Sequence, residues 1–360
     1  MKDNIIIFGF IGILFFFLIT SILLPDQDIS LSERRHLATF PNVIENGTIN
    51  SSFFEEFGEY VTDQFPGRDW FRSLQALAQF SIFGHLENDS VFVKNGMIFE
   101  TDSLREDAVS TFVNKIEDIS KKYFDETNFI YYSVIPNKIH YLEDSIYPRI
   151  DYHNLISSLQ KSLLASFTWV DIEEELDLSS YYATDIHWRQ EKIEGVVRNL
   201  LNAMETNYVS MDYQTKTFSS FAGSLYNKIA LPVQKENLNY YHNSFLDSIL
   251  VYNYEKKEME PVYQDSYFSH VDPYDVFLGG ASALLTIENK EQENGKNLII
   301  FRDSFASSLT PLLISSYHKI TLIDLRYIAS DYLSGVVDFS NSDILFLYSD
   351  EVINNSYLLK

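Results

Sequence analysis

Leu298-Ile299-Ile300-Phe301-Arg302-Asp303-Ser304-Phe305 passes from an apolar run to a polar pair and then into an expected helix start. A short apolar run bounded this way reads as a buried strand, and the residues after it as the strand-to-helix turn of an α/β unit. Ligands of open α/β sheets bind beyond the carboxyl ends of the strands. Ser304 stands three residues past Phe301, at such an end. Near the first turn of a helix its N–H points outward with the positive end of the dipole behind it. That setting suits a serine oxyanion. It equally suits a plain helix cap by Asp303 or Ser304.

The same α/β pattern extends in both directions. Residues 103–123 read as a helix and Phe129 to Ile135 as a continuous apolar strand ending at Pro136-Asn137-Lys138. A helix over 153–165, a strand from Phe167 to Ile172 and a helix from Trp188 to Met204 come next. Helix Ser307–Tyr317 and strands Ile320–Ile323 and Ile344–Tyr348 close the chain. Residues 206–290 are polar and Tyr-rich, and read as an insertion with hairpins. Upstream, Ser51 to Phe83 is helical with a break at Asp63-Gln64-Phe65-Pro66-Gly67-Arg68. Asn95-Gly96 between Val91-Phe92-Val93 and Met97-Ile98-Phe99 predicts a hairpin.

Ile5 to Leu24 is uncharged and almost wholly apolar. About 20 residues of helix cross a roughly 30 Å hydrocarbon core. No small-x-small cleavage site precedes Pro25, so an uncleaved anchor is expected over a cleaved signal. With no second span and a large domain after it, the expected orientation is amino terminus in, domain outside. Pro25 to Asn50 then reads as a polar linker. The net charge of −24 makes nucleic acid a poor partner. The absence of cysteine removes disulfides, thiol catalysis and Cys-zinc sites. The 28 Phe and 24 Tyr residues suit an aromatic core, or in part a sugar-facing surface.

A second string carries chemistry. Thr184-Asp185-Ile186-His187-Trp188 puts a carboxylate two residues from an imidazole. In an extended segment both side chains face the same way. A serine hydroxyl needs an imidazole to take its proton, and the imidazole needs a partner that fixes its tautomer. Asp185, His187 and Ser304 therefore supply the groups of an acyl-transfer centre, in a chain order no rule forbids. Capping at a helix entry is the structural alternative for Asp185 and His187. No metal site is expected: a third ligand is missing here, and the other seven histidines read as surface or core residues.

The string Ala183-Thr184-Asp185-Ile186-His187-Trp188 resembles the signature of the DHHW proteins, with Ile186 at the family's second-position His. These are similar to alginate O-acetyltransferases of the AlgX/AlgJ type. An ordered series of further strings carries the resemblance: Leu31-Ser32-Glu33-Arg34-Arg35-His36-Leu37 with Phe40-Pro41, Asp63 to Arg68, Lys94-Asn95-Gly96, Phe221-Ala222-Gly223-Ser224, Tyr274-Asp275-Val276-Phe277-Leu278-Gly279-Gly280, Asp303-Ser304-Phe305 and Asp324-Leu325-Arg326-Tyr327.

The resemblance implies an SGNH-hydrolase-like α/β fold, with a mostly parallel sheet flanked by helices. It divides the chain into an anchor (1–25), a linker, helices and hairpin (26–100) and a catalytic domain (101–360) with an insertion at about 206–290. Ser304 would be nucleophile, His187 general base and Asp185 its orienter. Arg302 stands where the hydrolases carry glycine, so an altered turn is expected. Ser304's own N–H, Asn137, Gly279 and Gly280 are oxyanion candidates, and Arg326 and Tyr348 could contact a sugar. The implied activity is O-acyl transfer, most simply acetyl transfer, to a cell-surface or secreted polysaccharide. No cofactor is implied, and a multispanning membrane O-acyltransferase would supply acyl groups. An esterase with the same three residues, and a non-enzymatic glycan-binding scaffold, are the alternatives.

Overall fold

The computed structural model describes all residues except 1, 31–34, 46, 84–86, 88–89, 144–145, 232 and 294. Leu31 to Arg34 of the first family string thus lie outside the described residues. The chain forms two compact units, 1–89 with 226–232, and 90–225 with 233–360.

The first unit begins with helix Lys2–Leu23. Its stretch Asn4–Leu23 is long and apolar enough to cross a membrane, and none of it is buried. Helices Phe53–Asp63 and Arg68–Ser81 come after it, split where Gly67 takes a φ of 74°. Asp63 closes the break by accepting from the Arg35 guanidinium and the Ala38 N–H. The Arg35 hydrogen bond holds its carboxyl at about 2 against the opposing effect of burial.

The second unit opens with the hairpin Val91–Lys94 and Met97–Glu100, turned by Asn95 and Gly96 at φ 51° and 79°. Both central residues at positive φ define the type I′ turn that Asn-Gly favours. The sequence groups this hairpin with the N-terminal extension. Its Ile98 N–H instead donates to Ala183 O at 2.8 Å, on the segment that carries Asp185.

Eight strands make the central sheet: β1 (Phe129–Ile135), β2 (Phe167–Trp169), β3 (Leu250–Asn253), β4 (Glu258–Pro261), β5 (Leu284–Glu288), β6 (Asn297–Arg302), β7 (Lys319–Ile323) and β8 (Ser342–Ser349). Their order is β4-β3-β5-β7-β6-β8-β1-β2. From β7 to β2 neighbours run parallel. The apolar run Leu298–Phe301 thus lies in the strand between β7 and β8. Its alternate residues feed two cores, as a strand period of two requires. Leu298 and Ile300 pack with helices α3 (Glu194–Ala203) and α4 (Phe305–Leu313). Ile299 and Phe301 pack on the other face with α1 (Glu106–Tyr123) and α2 (Tyr152–Ser162). This is the expected helix–sheet–helix layering of an α/β fold.

Two expectations are corrected. Residues 206–290 are not only an insertion, because β3, β4 and β5 extend the sheet with antiparallel pairing. Strand β3 buries only Val251 and Asn253 and β4 buries none of its residues, so they read as polar loop. The helix expected from Trp188 begins instead at Glu194. Before it, Trp188 bridges back to Tyr181, and the N–H groups of Tyr182 and Arg189 donate to His187 O and Ser180 O. The segment 181–188 is therefore a tight hairpin-like loop.

Candidate active site

Two segments 117 residues apart, Asp185-x-His187 and Ser304, meet at the carboxyl edge of β6. Ser304 Oγ lies 2.7 Å from His187 Nε2, and His187 Nδ1 lies 2.5 Å from Asp185 Oδ1. Asp185 is fully buried, His187 nearly so, and Ser304 is partly exposed. The carboxylate demands a proton on Nδ1, which leaves Nε2 as the acceptor for the serine hydroxyl. Asp185 Oδ1 also accepts the His187 N–H at 3.0 Å, and Oδ2 accepts the Ser224 N–H at 2.6 Å. The carboxylate is thus fixed on both oxygens.

The helix-cap alternative is resolved by the partners. Asp303, not Ser304, caps α4: its Oδ1 accepts the Phe305 N–H at 3.0 Å, and its Oδ2 accepts the Ser349 N–H at 2.7 Å. Ser304 makes no side-chain cap bond, so its hydroxyl is left for His187. Neither Arg302 nor Asp303 takes a positive φ, and so this turn needs no glycine. The Arg302 side chain turns into the interior and donates to Ser307 Oγ at 2.7 Å. Its burial depresses the guanidinium's proton affinity, which nearby Asp324 partly restores.

Groups to which the sequence assigns no role hold the loop. Lys138 is buried, and its Nζ donates to Tyr182 O, Ala183 O and Asp185 O at 2.9, 3.3 and 2.7 Å. Glu236 takes the loop's amides, accepting Ala183 N–H at 3.0 Å and Thr184 N–H at 2.7 Å, and also pairs with Arg189. One buried cation and one carboxylate therefore satisfy opposite sides of the same backbone, as buried polar groups require. The Tyr274 ring stacks on His187 with centroids 3.9 Å apart and planes 6° apart. Its hydroxyl and the Trp188 indole N–H both donate to Ser308 Oγ, at 2.8 and 2.9 Å. Lys138, Gly223 and Tyr274 each stand inside strings visible in the sequence. Only the fold shows what they touch.

Gly223 illustrates the tightness. A Cβ there would stand 2.3 Å from Asp185 Cβ and 2.6 Å from its Cα. The second contact is to backbone, so the loop must shift. A misplacement of about 1 Å at a reacting centre can cost roughly 100-fold in rate. Gly223→Ala is expected to slow acylation of Ser304 by about that factor, measured as the labelling rate with an activated ester. A wild-type rate would show that the Ser224–Asp185 contact is dispensable.

The remaining candidates fare differently. Asn137 follows β1, where its N–H donates to Asp350 Oδ2 at 3.0 Å and its Oδ1 accepts the Ile139 N–H at 3.2 Å. Its side-chain oxygen is thus spent on a turn, while its Nδ2, the donor an oxyanion would need, makes no hydrogen bond among the described residues. Gly279 and Gly280 take φ of 75° and 82°. A Cβ would meet Gln264 Nε2 at 2.5 Å or the Asp275 carboxylate at 2.4 Å. These glycines shape the turn behind Tyr274. Arg326 is occupied by Asp324 through two bonds of 2.9 and 2.7 Å. Tyr348 is fully buried within β8, edge-on to Phe112, so a sugar cannot reach it. Its position near a strand end suggests contact with substrate, but the inward-facing side of β8 decides otherwise. The Ser304 N–H, at the start of α4, has no acceptor among the described residues.

The chain matches no protein-family model, and no curated protein matches it in sequence. Among solved structures it is similar to a DHHW family protein from Eubacterium siraeum, at 19% identity and a TM-score of 0.62, over 76% of this chain and 94% of that one. It is also similar to PatB1 from Bacillus cereus, at 16% identity and a TM-score of 0.58, over 73% and 96% of the two chains. PatB1 has also been solved with a sulfonyl adduct, with a TM-score of 0.59. The O-acetyltransferase domain of Pseudomonas putida AlgJ matches at 10% identity and a TM-score of 0.46, over 74% and 92%. The resemblance to DHHW proteins drawn from short strings is therefore matched by a likeness of fold.

Proposed function

We propose that this chain is a serine-dependent O-acyltransferase that acylates, most simply acetylates, a cell-surface or secreted polysaccharide. The observation that carries it is the hydrogen-bonded series Ser304–His187–Asp185 at a helix N-terminus whose cap is a different residue. In the first half-reaction Ser304 Oγ attacks the acyl carbonyl of the donor while His187 Nε2 takes the hydroxyl proton. The tetrahedral oxyanion faces the free Ser304 N–H and the α4 dipole. As the carbonyl re-forms, the bond to the donor's leaving group breaks, and His187 returns its proton to that group. In the second half a sugar hydroxyl gives its proton to His187 and attacks the acyl-serine. Ser304 then leaves as an alkoxide and recovers the proton.

The N-terminal helix serves on this reading as an uncleaved anchor that holds the domain outside the membrane. A multispanning O-acyltransferase delivers the acyl group across the bilayer, which a single helix cannot do. No cofactor enters these steps.

The test uses the full chain in detergent. A sulfonyl fluoride and an activated acetyl ester are each added, and intact mass is read, followed by peptide mapping. One adduct at Ser304, absent from Ser304→Ala, is expected. With an oligosaccharide present, acylated sugar supports transfer, whereas free acid alone means water is the acceptor and the chain is an esterase. Equal labelling of wild type and Ser304→Ala would overturn the assignment.

A further inference from the structure

Two of the seven histidines that look unremarkable in the sequence have a common neighbour. His140 Nε2 lies 2.8 Å from Glu173 Oε1, and His153 Nε2 lies 3.7 Å from the same oxygen. One ligand atom from each of the three residues lies within 4.8 Å of the others. The three come from different elements. His140 is in the 3-10 turn Lys138–Tyr141 after β1, His153 in the first turn of α2, and Glu173 opens the 3-10 turn Glu173–Glu175 after β2. Separations of 13 and 20 residues hide this grouping from any motif search.

We propose that His140, His153 and Glu173 bind a zinc ion with an open fourth position. Two imidazoles and one carboxylate are a recurrent three-ligand zinc set, with the fourth position left to water or an oxygen ligand. Zinc–ligand bonds of about 2.0–2.2 Å place tetrahedral ligand atoms about 3.3 Å apart. The observed 2.8 and 3.7 Å contacts bracket that value. Two of the ligands are already held. The His140 ring packs against Tyr152 and Tyr141, with centroids at 4.9 and 5.1 Å. The Glu173 backbone is fixed through its N–H to Asp171 Oδ1 and through its carbonyl to the Tyr141 hydroxyl. His153 is the exposed arm, with its side chain 73% exposed and its ring centroid 5.4 Å from that of His140.

Imidazole donors favour zinc over calcium or magnesium, which take oxygen ligands. The site lies beyond β1 and β2, on the same carboxyl edge as Ser304. At about 4.8 Å per strand it stands roughly 10–15 Å along the sheet from β6. It is thus separate from the Ser304 centre, and zinc there would tie α2 to the turns after both strands.

The test titrates chelator-treated full chain with zinc chloride by calorimetry, and with calcium chloride in parallel. One equivalent of zinc is expected at a Kd of about 10 μM or tighter, with no matching calcium event. Bound cobalt should show the visible absorption of a tetrahedral site. His153→Ala and Glu173→Gln should each weaken zinc at least about tenfold. Zinc near 100 μM should raise the wild-type melting temperature by about 2–5 °C, and His153→Ala should lose this shift while melting like wild type without zinc. Wild-type zinc affinity in both variants would place the ion on other acidic groups and overturn the proposal. So would the lack of any one-equivalent event, which would leave His140 and Glu173 an ordinary hydrogen-bonded pair.

Discussion

His187→Ala should lower the rate of Ser304 acylation by roughly 10⁴- to 10⁶-fold while leaving the fold intact. The imidazole is the only group within hydrogen-bonding reach of Ser304 Oγ among the described residues. Without it the hydroxyl keeps its proton at neutral pH and is a poor nucleophile. Asp185→Asn should cost about 10⁴-fold, because an amide in place of the carboxylate no longer dictates a proton on Nδ1. The double variant should be little worse than His187→Ala, since residues acting as one unit are not additive. Single-turnover labelling with an activated ester reads all three. If His187→Ala labels within about tenfold of wild type, Ser304 is not activated by this imidazole, and the acyl-transfer reading fails with it. The loss of His187 leaves a space beneath the Tyr274 ring, so a melting curve accompanies the kinetics to show that the variant is folded.

The parts of this centre that can be read in the sequence are those that chemistry forces close together in the chain. The spacing Asp185-x-His187 is local, and so is a serine just past an apolar run. Strand β6 and its successors are legible because a strand buried on both faces is a continuous apolar run. Strands β3 and β4 are not, since β3 is only half buried and β4 buries none of its residues. The start of α3 is masked because Trp188 and Ile193 fit a helical stripe. The Trp188 indole instead bonds to Ser308 on α4, and the backbone around it pairs with Tyr181. Tyr348 takes on a sugar-facing role from its place near a strand end, and the strand's inward face contradicts that. The support shell is illegible for a different reason. Lys138 precedes Tyr182 by 44 residues and Glu236 follows Thr184 by 52, and no local pattern marks a lysine that will be buried. Such a lysine reads as surface until the fold places backbone carbonyls around it.

Lys138→Met should be the most damaging change outside the three reacting residues. Met matches the length of the lysine stem, so the lost feature is the ammonium. That group supplies three donors to three loop carbonyls, those of Tyr182, Ala183 and Asp185. Removal leaves the buried carbonyls of Tyr182 and Asp185 without this partner, while Ala183 O keeps the Ile98 N–H, and each stranded group costs about 1–3 kcal/mol. Against this stands relief from burying a charge. Burial pushes the Lys138 ammonium down to about 7, opposed by the carboxylates of Asp185 and Glu236. The pH dependence separates this from a packing defect. Between about 7 and the unfolded value of 10.5 the unfolded chain binds the proton more readily, so wild-type stability gains from rising pH across that window. Below about 7 both states are protonated and the burial penalty is fully present. The variant has no such group, so its deficit relative to wild type should widen from about pH 7 to about pH 10 and stay level below about 7. Denaturant melts at several pH values measure it. The loop that loses its clamp carries Asp185 and His187, so Ser304 labelling should fall by about 100-fold or more in the variant. A Lys138→Met protein with a parallel pH curve and wild-type labelling would mean that Glu236 and the hairpin at Ile98 hold the loop without the lysine.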